Sequence, residues 1–379
     1  MPNLRFPEFS GEWEKRKLAS IGKFFSGGTP TSSNKDYYDG EIPFIRSGEI
    51  HSDHTELSIS AIGYENSSAK MVSKGDLLLA LYGATSGDIA ISRMSGAINQ
   101  AILCIRTTQD HLFLKSVWEK HVKNILNTYL QGGQGNLSAD IVKNLFFYFP
   151  RIEEQRKIGR LIELIDQRIA IQNRIIEDLK KLKTALEDTC FYNCGGKQVC
   201  LRDILVERGE RSNRNNQYEV LSSTVEGIYS QREYFKKEIA SADNAGYKVI
   251  HLGDIVLSPQ NLWMGNINYN DRFSIGIVSP SYKVFSIKPT FDEQFVASIL
   301  KTKRALWKYS LVSEQGASIV RRNLNMEDFY EISFAIPSLE KQRRIGEGIS
   351  SIRDKIRLEQ SYLNILNSHK SYLLSKMFI

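Results

Sequence analysis

An internal repeat that covers nearly the whole chain limits the possible folds more than any other feature of the sequence. Segment 150–159, PRIEEQRKIG, recurs at 337–346 as PSLEKQRRIG. The offset of 187 residues continues without a gap as far as Phe191 and Phe378. Since the chain has 379 residues, two such repeats account for almost all of it. The repeat predicts two similar halves that are built on the same plan.

The upstream parts of the two halves also correspond, although loops of different length change the offset. Gly-Asp followed by three apolar residues occurs at 75–79 and again at 253–257. The same offset of 178 pairs Gly87 with Gly265. Each half is therefore predicted to contain a globular region of about 140 residues followed by a helical region of about 40. We predict globular domains at residues 1–150 and 192–337, and long helices at residues 151–191 and 338–379.

Apolar residues in the two helical regions repeat at alternating intervals of four and three. This heptad spacing extends over three to four heptads, which favours packing of one helix against the other. The alternative is that each helix packs only on its own globular domain. The predicted seam consists of Ile158, Ile162, Ile165, Ile169, Gln172, Ile176 and Leu179 in the first helix and of Ile345, Ile349, Ile352, Ile356, Glu359, Leu363 and Leu366 in the second.

Each seam contains one polar residue, Gln172 in the first helix and Glu359 in the second, at equivalent places. If a two-fold axis relates the repeats, the helices run antiparallel and the midpoints of the seams meet on that axis. We therefore predict that Gln172 faces Glu359, a polar contact that fixes the register at some cost in stability. Replacing both residues with Leu should leave the pair folded but less specific in its alignment.

The globular regions have the pattern of mixed, mainly β domains. Their short β-branched segments are bounded by Gly, Ser or Pro, and each region has one helical segment, near 112–130 and near 292–309. The predicted fold class is α+β: two mainly β domains joined by two long antiparallel coiled-coil helices, with pseudo-two-fold symmetry from the tandem repeat. The predicted strands are 76–81, 88–92, 102–106, 254–258 and 282–287.

The sequence contains none of the common catalytic or metal-binding motifs. It has no G-x4-G-K-[ST] phosphate loop, no H-E-x-x-H and no paired C-x-x-C, and His51 and His54 fall on a predicted loop. We therefore expect no catalytic activity and no cofactor or metal bound by this chain. The absence of an 18-residue apolar run and of a signal peptide, together with only four cysteines, predicts a cytoplasmic location.

The net charge of +7 suggests a polyanionic partner, but the distribution of the charge weakens that inference. Residues 338–379 alone carry eight basic and four acidic side chains, and thus more than half of the surplus. Charge by itself does not establish nucleic-acid binding.

Polar loops differ between the halves although the frame around them is the same. Residues 80–86 are ALYGATS, whereas the corresponding residues 258–264 are SPQNLWM. Unlike side chains on a common frame suit two readers of different base sequences, because Gln and Asn fit adenine edges and Thr or Ser fit several bases. The alternative is sequence drift in a surface loop.

Further polar segments extend this pattern. A polar segment precedes each of the two copies of the repeat motif, and another polar segment lies early in the first domain. The candidate DNA-contacting residues are Thr29, Thr31, Ser32, Asn34, Lys35, Arg46, Ser47, Tyr82, Thr85, Ser86, Gln131, Gln134, Asn136, Gln260, Asn261, Trp263, Met264, Gln315, Ser318, Arg321 and Arg322.

The twice-occurring P-x-[IL]-E-x-Q-R-x-I-G motif, with Gly-Asp and a variable polar segment upstream, resembles the specificity subunit of type I restriction-modification systems. The resemblance covers essentially the whole chain. It implies two target-recognition domains, each recognising half of a bipartite double-stranded DNA site, joined by helices that set the gap between the half-sites. Glu153, Gln155, Glu340 and Gln342 match the motif at the helix starts, and they are equally suited to be helix caps or solvated residues of a turn.

The resemblance also implies the partners. Two modification (methyltransferase) subunits would bind mainly the helices and supply S-adenosylmethionine, and restriction subunits would supply ATP- and Mg²⁺-dependent translocation and cleavage. This chain would direct adenine methylation without reacting itself. The seam from Ile158 to Leu186 would span about 43 Å, roughly a dozen base pairs.

Two other functions remain open from the sequence. One is the specificity chain of a related system, whose partner fuses methyltransferase and nuclease in one polypeptide. The other is a protein scaffold that acts independently of DNA.

Overall fold

A computed structural model of the chain describes residues 1–130, 136–192, 195–234, 243–315 and 322–379. The chain forms two compact units. Unit 1 comprises residues 1–173 and 361–379, and unit 2 comprises residues 174–360. The two long helices each contribute residues to both units, so the four-part division by residue ranges stays a prediction.

Unit 1 contains two four-stranded sheets and one two-stranded sheet. Its strands are β1 (Glu14–Lys17), β2 (Gly22–Ser26), β3 (Tyr38–Ile45), β4 (Ser58–Ile59), β5 (Lys70–Val72), β6 (Leu77–Ala80), β7 (Ile89–Ile91), β8 (Gly96–Ile98), β9 (Ile102–Thr107) and β10 (Phe146–Phe149). The sheets have the orders β2–β9–β6–β7, β4–β3–β8–β5 and β1–β10. Its helices are α1 (Ala61–Glu65), α2 (His111–Leu130), α3 (Ala139–Asn144) and the start of α4 (Ile152–Tyr192).

Strand β6 lies at the centre of unit 1, because both of its faces are buried. Leu77 and Leu79 point into a core that includes Phe113 of α2, whereas Leu78 and Ala80 point into a second core on the opposite face. Alternate side chains of a strand point to opposite faces, so this run of four apolar residues serves two cores at once.

Unit 2 repeats the plan with shorter strands. Its strands are β11 (Lys197–Cys200), β12 (Leu205–Glu207), β13 (Leu221–Ser223), β14 (Ile228–Ser230), β15 (Lys248–His251), β16 (Ile255–Leu257), β17 (Ile267–Tyr269), β18 (Ile275–Val278), β19 (Lys283–Ile287), β20 (Ser313–Gln315), β21 (Arg322–Leu324) and β22 (Ser333–Ile336). Its helices are α5 (Leu201–Ile204), α6 (Gln231–Tyr234), α7 (Glu293–Ile299), α8 (Lys303–Leu311), α9 (Met326–Glu331) and part of α10 (Leu339–Met377).

The structural repeat follows the sequence repeat. The sheet β12–β19–β16–β17 of unit 2 corresponds strand for strand to β2–β9–β6–β7 of unit 1, and β11–β22 corresponds to β1–β10. Within β16, Ile255 and Leu257 enter one core and Val256 enters another, as in β6. The five predicted strands are all confirmed, as is the helix near 112–130.

The prediction of one helix near 292–309 is wrong, since the structure has two helices there, α7 and α8. The break falls at Thr302, whose hydroxyl accepts a hydrogen bond from the backbone N–H of Ala305 at 3.2 Å and donates one to the carbonyl of Ile299 at 2.8 Å. Threonine in this role ends one helix and caps the next. The helical spacing of apolar residues continues through the break, so the sequence pattern did not reveal it.

The long helices α4 and α10 run antiparallel. In unit 1, Asp166 of α4 contacts Lys370 of α10 at 2.6 Å, while Arg168, further along α4, lies 5.9 Å from the ring centroid of Tyr362, which comes earlier in α10. In unit 2, Phe191 at the end of α4 shares a core with Ile345 near the start of α10. The predicted antiparallel pairing is confirmed.

The predicted seam residues are all buried or half-buried along α4 and α10. Gln172 is only 4% exposed, and Glu359 forms an ion pair with Lys355 at 2.6 Å. That Gln172 faces Glu359 stays a prediction. In the described part of the chain, no helix combines the length and apolar character that a membrane span requires.

Candidate nucleic-acid interface

The variable loop of unit 2 joins β16 to β17, and backbone bonds close it. The N–H of Ser258 donates to the carbonyl of Asn266 at 3.0 Å. Gly265 has a φ of +91°, and a Cβ at this position would lie 2.9 Å from Leu306 of α8. Only glycine combines this backbone conformation with such a close approach, so the loop has one well-defined shape.

Two segments predicted to contact DNA meet at this loop. The guanidinium of Arg322 lies 4.2 Å from the centroid of the Trp263 ring, and the N–H of Arg322 donates to the carbonyl of Gln260 at 3.1 Å. Gln260 and Met264 are exposed at the tip. Among the described residues, no carboxylate forms an ion pair with Arg322, so its charge is available to a phosphate or a guanine edge.

A buried polar network lies beneath the loop. Asn268 donates to the hydroxyl of Ser223 at 2.8 Å, and that hydroxyl donates to Asn266 at 2.8 Å. The ammonium of Lys301 donates to Asn268 at 3.0 Å and to the carbonyl of Gly265 at 2.9 Å. Burial lowers the pKa of Lys301 to about 8. This network fixes the base of the loop. Its signal in the sequence was the spacing of Asn266 and Asn268, one just before β17 and one within it.

The second variable segment of unit 2 forms a hairpin. Strand β20 pairs antiparallel with β21, and Gln315 lies opposite Arg322. Gln315 is exposed and Asn261, in the neighbouring loop, is half-buried. Ser318 and Arg321 lie outside the described residues, so their predicted role is untested.

The variable loop of unit 1 lies at the same place in the sheet as that of unit 2 but carries different side chains. The hydroxyl of Ser86 donates to the carbonyl of Leu81 at 2.9 Å. The N–H of Leu137 donates to the same carbonyl at 3.1 Å, which brings the segment before α3 next to the loop. Tyr82 is 37% exposed, and Thr85 is half-buried.

Predicted residues near Leu137 fall partly outside the described range. Asn136 is exposed, beside the variable loop of unit 1. Gln131 and Gln134 lie outside the described residues.

A third polar loop of unit 1 reaches the same neighbourhood. The hydroxyl of Thr29 donates to the side chain of Gln100 at 2.5 Å, and the next residue, Ala101, accepts a hydrogen bond at its carbonyl from Leu81 at 2.8 Å. The turn that contains Gln100 thus links the two loops. Sequence reasoning missed Gln100, which carries no motif. The remaining predicted residues of this loop are exposed or half-buried: Thr31, Ser32, Asn34 and Lys35.

Arg46 differs from the other basic candidates because its charge is neutralised. Its guanidinium pairs with Glu49 at 3.0 Å and with Glu56 at 2.5 Å, and both carboxylates raise the pKa of Arg46. Ser47 begins a short 3-10 helix directly after it. These contacts favour a structural role for Arg46 over a DNA contact.

The glutamine of the repeat motif connects each long helix to the globular part of its unit. Gln155 accepts a hydrogen bond from the N–H of Asp110 at 3.1 Å and donates to the carbonyl of Pro150 at 2.9 Å. Gln155 is 1% exposed, so a partner lost here would leave a buried polar group unsatisfied. Gln155 therefore has a structural role in the packing of the helix start. Glu153 and Glu340, by contrast, are exposed in the first helical turns.

Glycine of the repeat motif permits the same close packing. A Cβ on Gly159 would lie 2.6 Å from the Asp110 carboxylate and 2.6 Å from the N–H nitrogen of Phe113. On Gly346 it would lie 2.5 Å from the carboxylate of Asp292. The glutamine and the glycine of the repeat motif therefore hold the globular part of each unit against its helix.

The chain is thus an α+β protein with two copies of a domain, each followed by a long helix and each presenting a different polar loop. The model of the type I restriction modification DNA specificity domain matches residues 10–181 and again residues 197–368. Because the two matches cover most of the chain, the chain belongs to this family.

Individual relatives share only a low sequence identity with this chain. The chain is 25% identical over 193 residues to the type I restriction enzyme MjaIX specificity subunit of Methanocaldococcus jannaschii, covering 48% of this chain and 44% of that protein. It is 24% identical over 191 residues to the EcoR124I/EcoR124II specificity subunit of Escherichia coli, covering 47% of this chain and 46% of that one. The chain thus matches less than half the length of these curated relatives.

The fold has a counterpart of full length among solved structures. The S subunit of a type I restriction-modification system from M. genitalium superposes with a TM-score of 0.66, covering 100% of this chain and 99% of that chain at 16% identity. At this identity the likeness establishes the fold. It confirms the α+β architecture with two domains and long helices.

Proposed function

We propose that this chain is the DNA-recognition subunit of a type I restriction-modification complex and that each unit recognises one half of a bipartite site. The observation that carries the proposal is the pair of variable loops. In unit 2 the aromatic and cationic residues Trp263 and Arg322 are stacked, whereas the same frame in unit 1 carries Tyr82 and Thr85. Different side chains on an equivalent backbone are what two unlike half-sites require.

The long helices serve as the spacer in this proposal. Helix α4 has 41 residues and α10 has 39. A rigid helical element of fixed length sets the number of base pairs between the half-sites, and a change in helix length would alter that number.

Catalysis belongs to partner proteins in this proposal. Two modification subunits bring S-adenosylmethionine and methylate adenine, and restriction subunits bring ATP and Mg²⁺ for translocation and cleavage. This chain contributes binding and positioning, acts with the other subunits on cytoplasmic DNA, and requires no cofactor of its own.

Exposed apolar side chains on the outer faces of α4 and α10 support the docking of protein partners. In unit 1, Ile171 is 58% exposed and Leu164 and Ile365 are also exposed. In unit 2, Leu358 is 63% exposed and Leu182 is exposed as well. In this proposal these exposed apolar residues belong to the surface that binds the modification subunits.

Methylome sequencing tests the function directly. The chain is produced with its modification subunit in cells that lack other methyltransferases, and methylated adenines are mapped. We expect one bipartite motif with a fixed gap. If methylation followed a continuous motif, the proposal of two half-site readers would be wrong. If no methylation occurred and gel shifts of the assembled complex showed no sequence preference, the chain would instead be a scaffold that acts independently of DNA.

A domain exchange tests the independence of the two readers. Residues 1–150 are replaced by the equivalent region of a relative with a known target. We expect one half of the motif to change and the other to stay the same. A change in both halves would contradict the proposal. The partner purified with the chain decides between separate subunits and a fused methyltransferase-nuclease.

A further inference from the structure

In unit 1, the carbonyl that ends the variable loop is held by a helix of the same unit. The indole N–H of Trp118, on α2, donates to the carbonyl of Gly87 at 2.7 Å. Gly87 directly follows loop residues 80–86, and Trp118 is 1% exposed. A Cβ on Gly87 would lie 2.8 Å from Val122, one turn further along α2. The end of the loop is therefore both hydrogen-bonded to α2 and closely packed against it.

In unit 2, the equivalent carbonyl is held by a different chemical group. The offset of 178 residues pairs Gly87 with Gly265, which directly follows loop residues 258–264. The donor to the Gly265 carbonyl is the ammonium of Lys301, at 2.9 Å. A neutral indole in one unit and a cation in the other thus bind the same backbone atom of the repeat.

The two donors also come from different positions of the repeat. Asp110 and Asp292 each cap a helix by accepting a hydrogen bond from the backbone N–H three residues further on, and they are 182 residues apart. The same offset places Lys301 opposite Glu119, one residue beyond Trp118. The contact was therefore not simply inherited from the duplication. One structural reason is common to both units, because a buried carbonyl without a partner costs free energy.

The ammonium of Lys301 holds two further groups. It donates to the carbonyl of Val225 at 3.0 Å and to the side chain of Asn268 at 3.0 Å. Val225 lies in the turn between β13 and β14, and Asn268 lies in β17. An ammonium has three N–H donors, and Lys301 uses one for each contact. The variable loop of unit 2 is thus fixed to a neighbouring turn and to a strand through one side chain.

The two held carbonyls directly follow side chains that are proposed to contact DNA. Thr85 and Ser86 precede Gly87, and Trp263 and Met264 precede Gly265. Side chains that bind a partner specifically must be held within about 0.5 Å of the productive geometry. A shift of the glycine carbonyl would move the residues just before it by a comparable distance, so loss of the donor should affect how well bases are distinguished.

We propose that Trp118 and Lys301 are positioning residues for DNA recognition, each of which sets how sharply its own unit discriminates between bases. Each residue acts through the carbonyl that ends its variable loop, and its role requires no contact with DNA. The inference rests on the proposed function, in which each unit recognises one half-site.

Base discrimination in the assembled complex with its modification subunits tests the proposal. Trp118→Phe removes the N–H donor and keeps an aromatic ring, and Lys301→Met removes the ammonium and keeps a long side chain. Discrimination is the Kd for duplex DNA with one substituted base pair in a half-site, divided by the Kd for the cognate duplex, both measured by fluorescence anisotropy. We expect Trp118→Phe to lower this ratio about fivefold at one half-site and Lys301→Met to lower it about fivefold at the other. Lys301→Arg keeps a charged donor and should restore most of the ratio.

Two control variants remove similar hydrogen bonds elsewhere in the same units. Lys308→Met removes an ammonium that donates to the carbonyl of Ser333 in β22. Ser116→Ala removes a buried hydroxyl that donates to the carbonyl of Leu112, within α2, at 2.8 Å. Both controls should lower the melting temperature and leave the two discrimination ratios unchanged. If the role of Trp118 and Lys301 were only structural, their variants would behave in the same way as these controls.

The result for the unaltered chain separates failure of this inference from failure of the proposed function. Ratios near one at both half-sites would overturn the proposed function and the inference with it. If the unaltered complex discriminates at both half-sites, the inference alone fails in any of three cases. These are unchanged ratios in Trp118→Phe and Lys301→Met, a loss in both variants at the same half-site, and an equal loss in the two controls.

Discussion

The side-chain oxygen of Gln342 accepts a hydrogen bond from the backbone N–H of Asp292 at 3.0 Å. Gln342 also donates to the carbonyl of Pro337 at 2.9 Å, and it is 3% exposed. Unit 1 contains the same arrangement between Gln155 and Asp110. The repeat motif therefore has a structural role. Its glutamine connects the start of a long helix to the start of a helix in the recognition domain.

The first prediction concerns this joint. Gln342→Ala removes both hydrogen bonds and leaves a buried N–H and a buried carbonyl without their partner. We expect the free energy of unfolding to fall by about 2–3 kcal/mol, measured by urea denaturation. Glu340→Ala, in the same helical turn but exposed, is the control and should cost less than about 1 kcal/mol. Equal losses for the two variants would contradict the role given to Gln342.

The second prediction compares two glycines of one helix. Gly346→Ala places a methyl group 2.5 Å from the Asp292 carboxylate and should destabilise the chain by about 1–3 kcal/mol, because helix and domain must move apart. Gly348→Ala meets open space and should stabilise the helix by about 0.5–1 kcal/mol. The two melting temperatures should therefore shift in opposite directions. If both variants shifted the melting temperature in the same direction, the close contact of Gly346 with Asp292 would not be what determines stability at this position.

The third prediction concerns the proposed reader of unit 2. Arg322→Ala should weaken binding of the assembled complex to its cognate site by about 10- to 100-fold, through lost contacts to one half-site. Trp263→Ala, which removes the ring beneath the guanidinium, should have a smaller effect in the same direction. Both are measured by gel shift or by anisotropy with duplex DNA.

The matched control for Arg322 is Arg304→Ala, which removes the same charge from an exposed position on α8 of the same unit. Its effect should be small. A loss of affinity as large as that of Arg322→Ala would mean that Arg322 contributes only general positive charge.

The fourth prediction concerns pH. Burial lowers the pKa of Lys301 to about 8 from 10.5. Between these values the unfolded chain binds more protons than the folded chain, so the contribution of Lys301 to the free energy of unfolding rises with pH. We expect Lys301→Met to remove about 2 kcal/mol of the increase in stability between pH 7.5 and pH 10, measured by urea denaturation at both.

Lys303→Met is the control for this effect, because Lys303 is an exposed lysine only two residues further along the chain. It should leave the dependence on pH unchanged. An unaltered slope in Lys301→Met would contradict a lowered pKa at that position.

Periodic features were predictable from the sequence. The heptad spacing of α4 and α10 and the short apolar runs of strands β6 and β16 are produced by burial, and burial leaves a regular pattern of apolar residues in the sequence. The tandem repeat gave the correspondence between the halves. The break at Thr302 was not predictable from apolar spacing, because its cause is a single side-chain hydrogen bond.

Contacts between distant segments were predicted less well. The meeting of Trp263 with Arg322 joins loops about sixty residues apart, and polar composition indicated only that both were loops. The ion pairs of Arg46 with Glu49 and Glu56 were likewise not predictable from polar composition, and the DNA contact of Arg46 stays a prediction. The predicted contact residues remain proposals, since composition and exposure do not identify a base.

The loop of unit 2 that joins β16 to β17 is closed by the backbone of Ser258 and Asn266, without help from the side chains at its tip. Natural variants can therefore alter Gln260 or Met264 and keep the protein folded. If these residues read bases as proposed, single substitutions at the tip would give new target sequences, and a population of cells that carries several versions would present an invading genome with several different barriers.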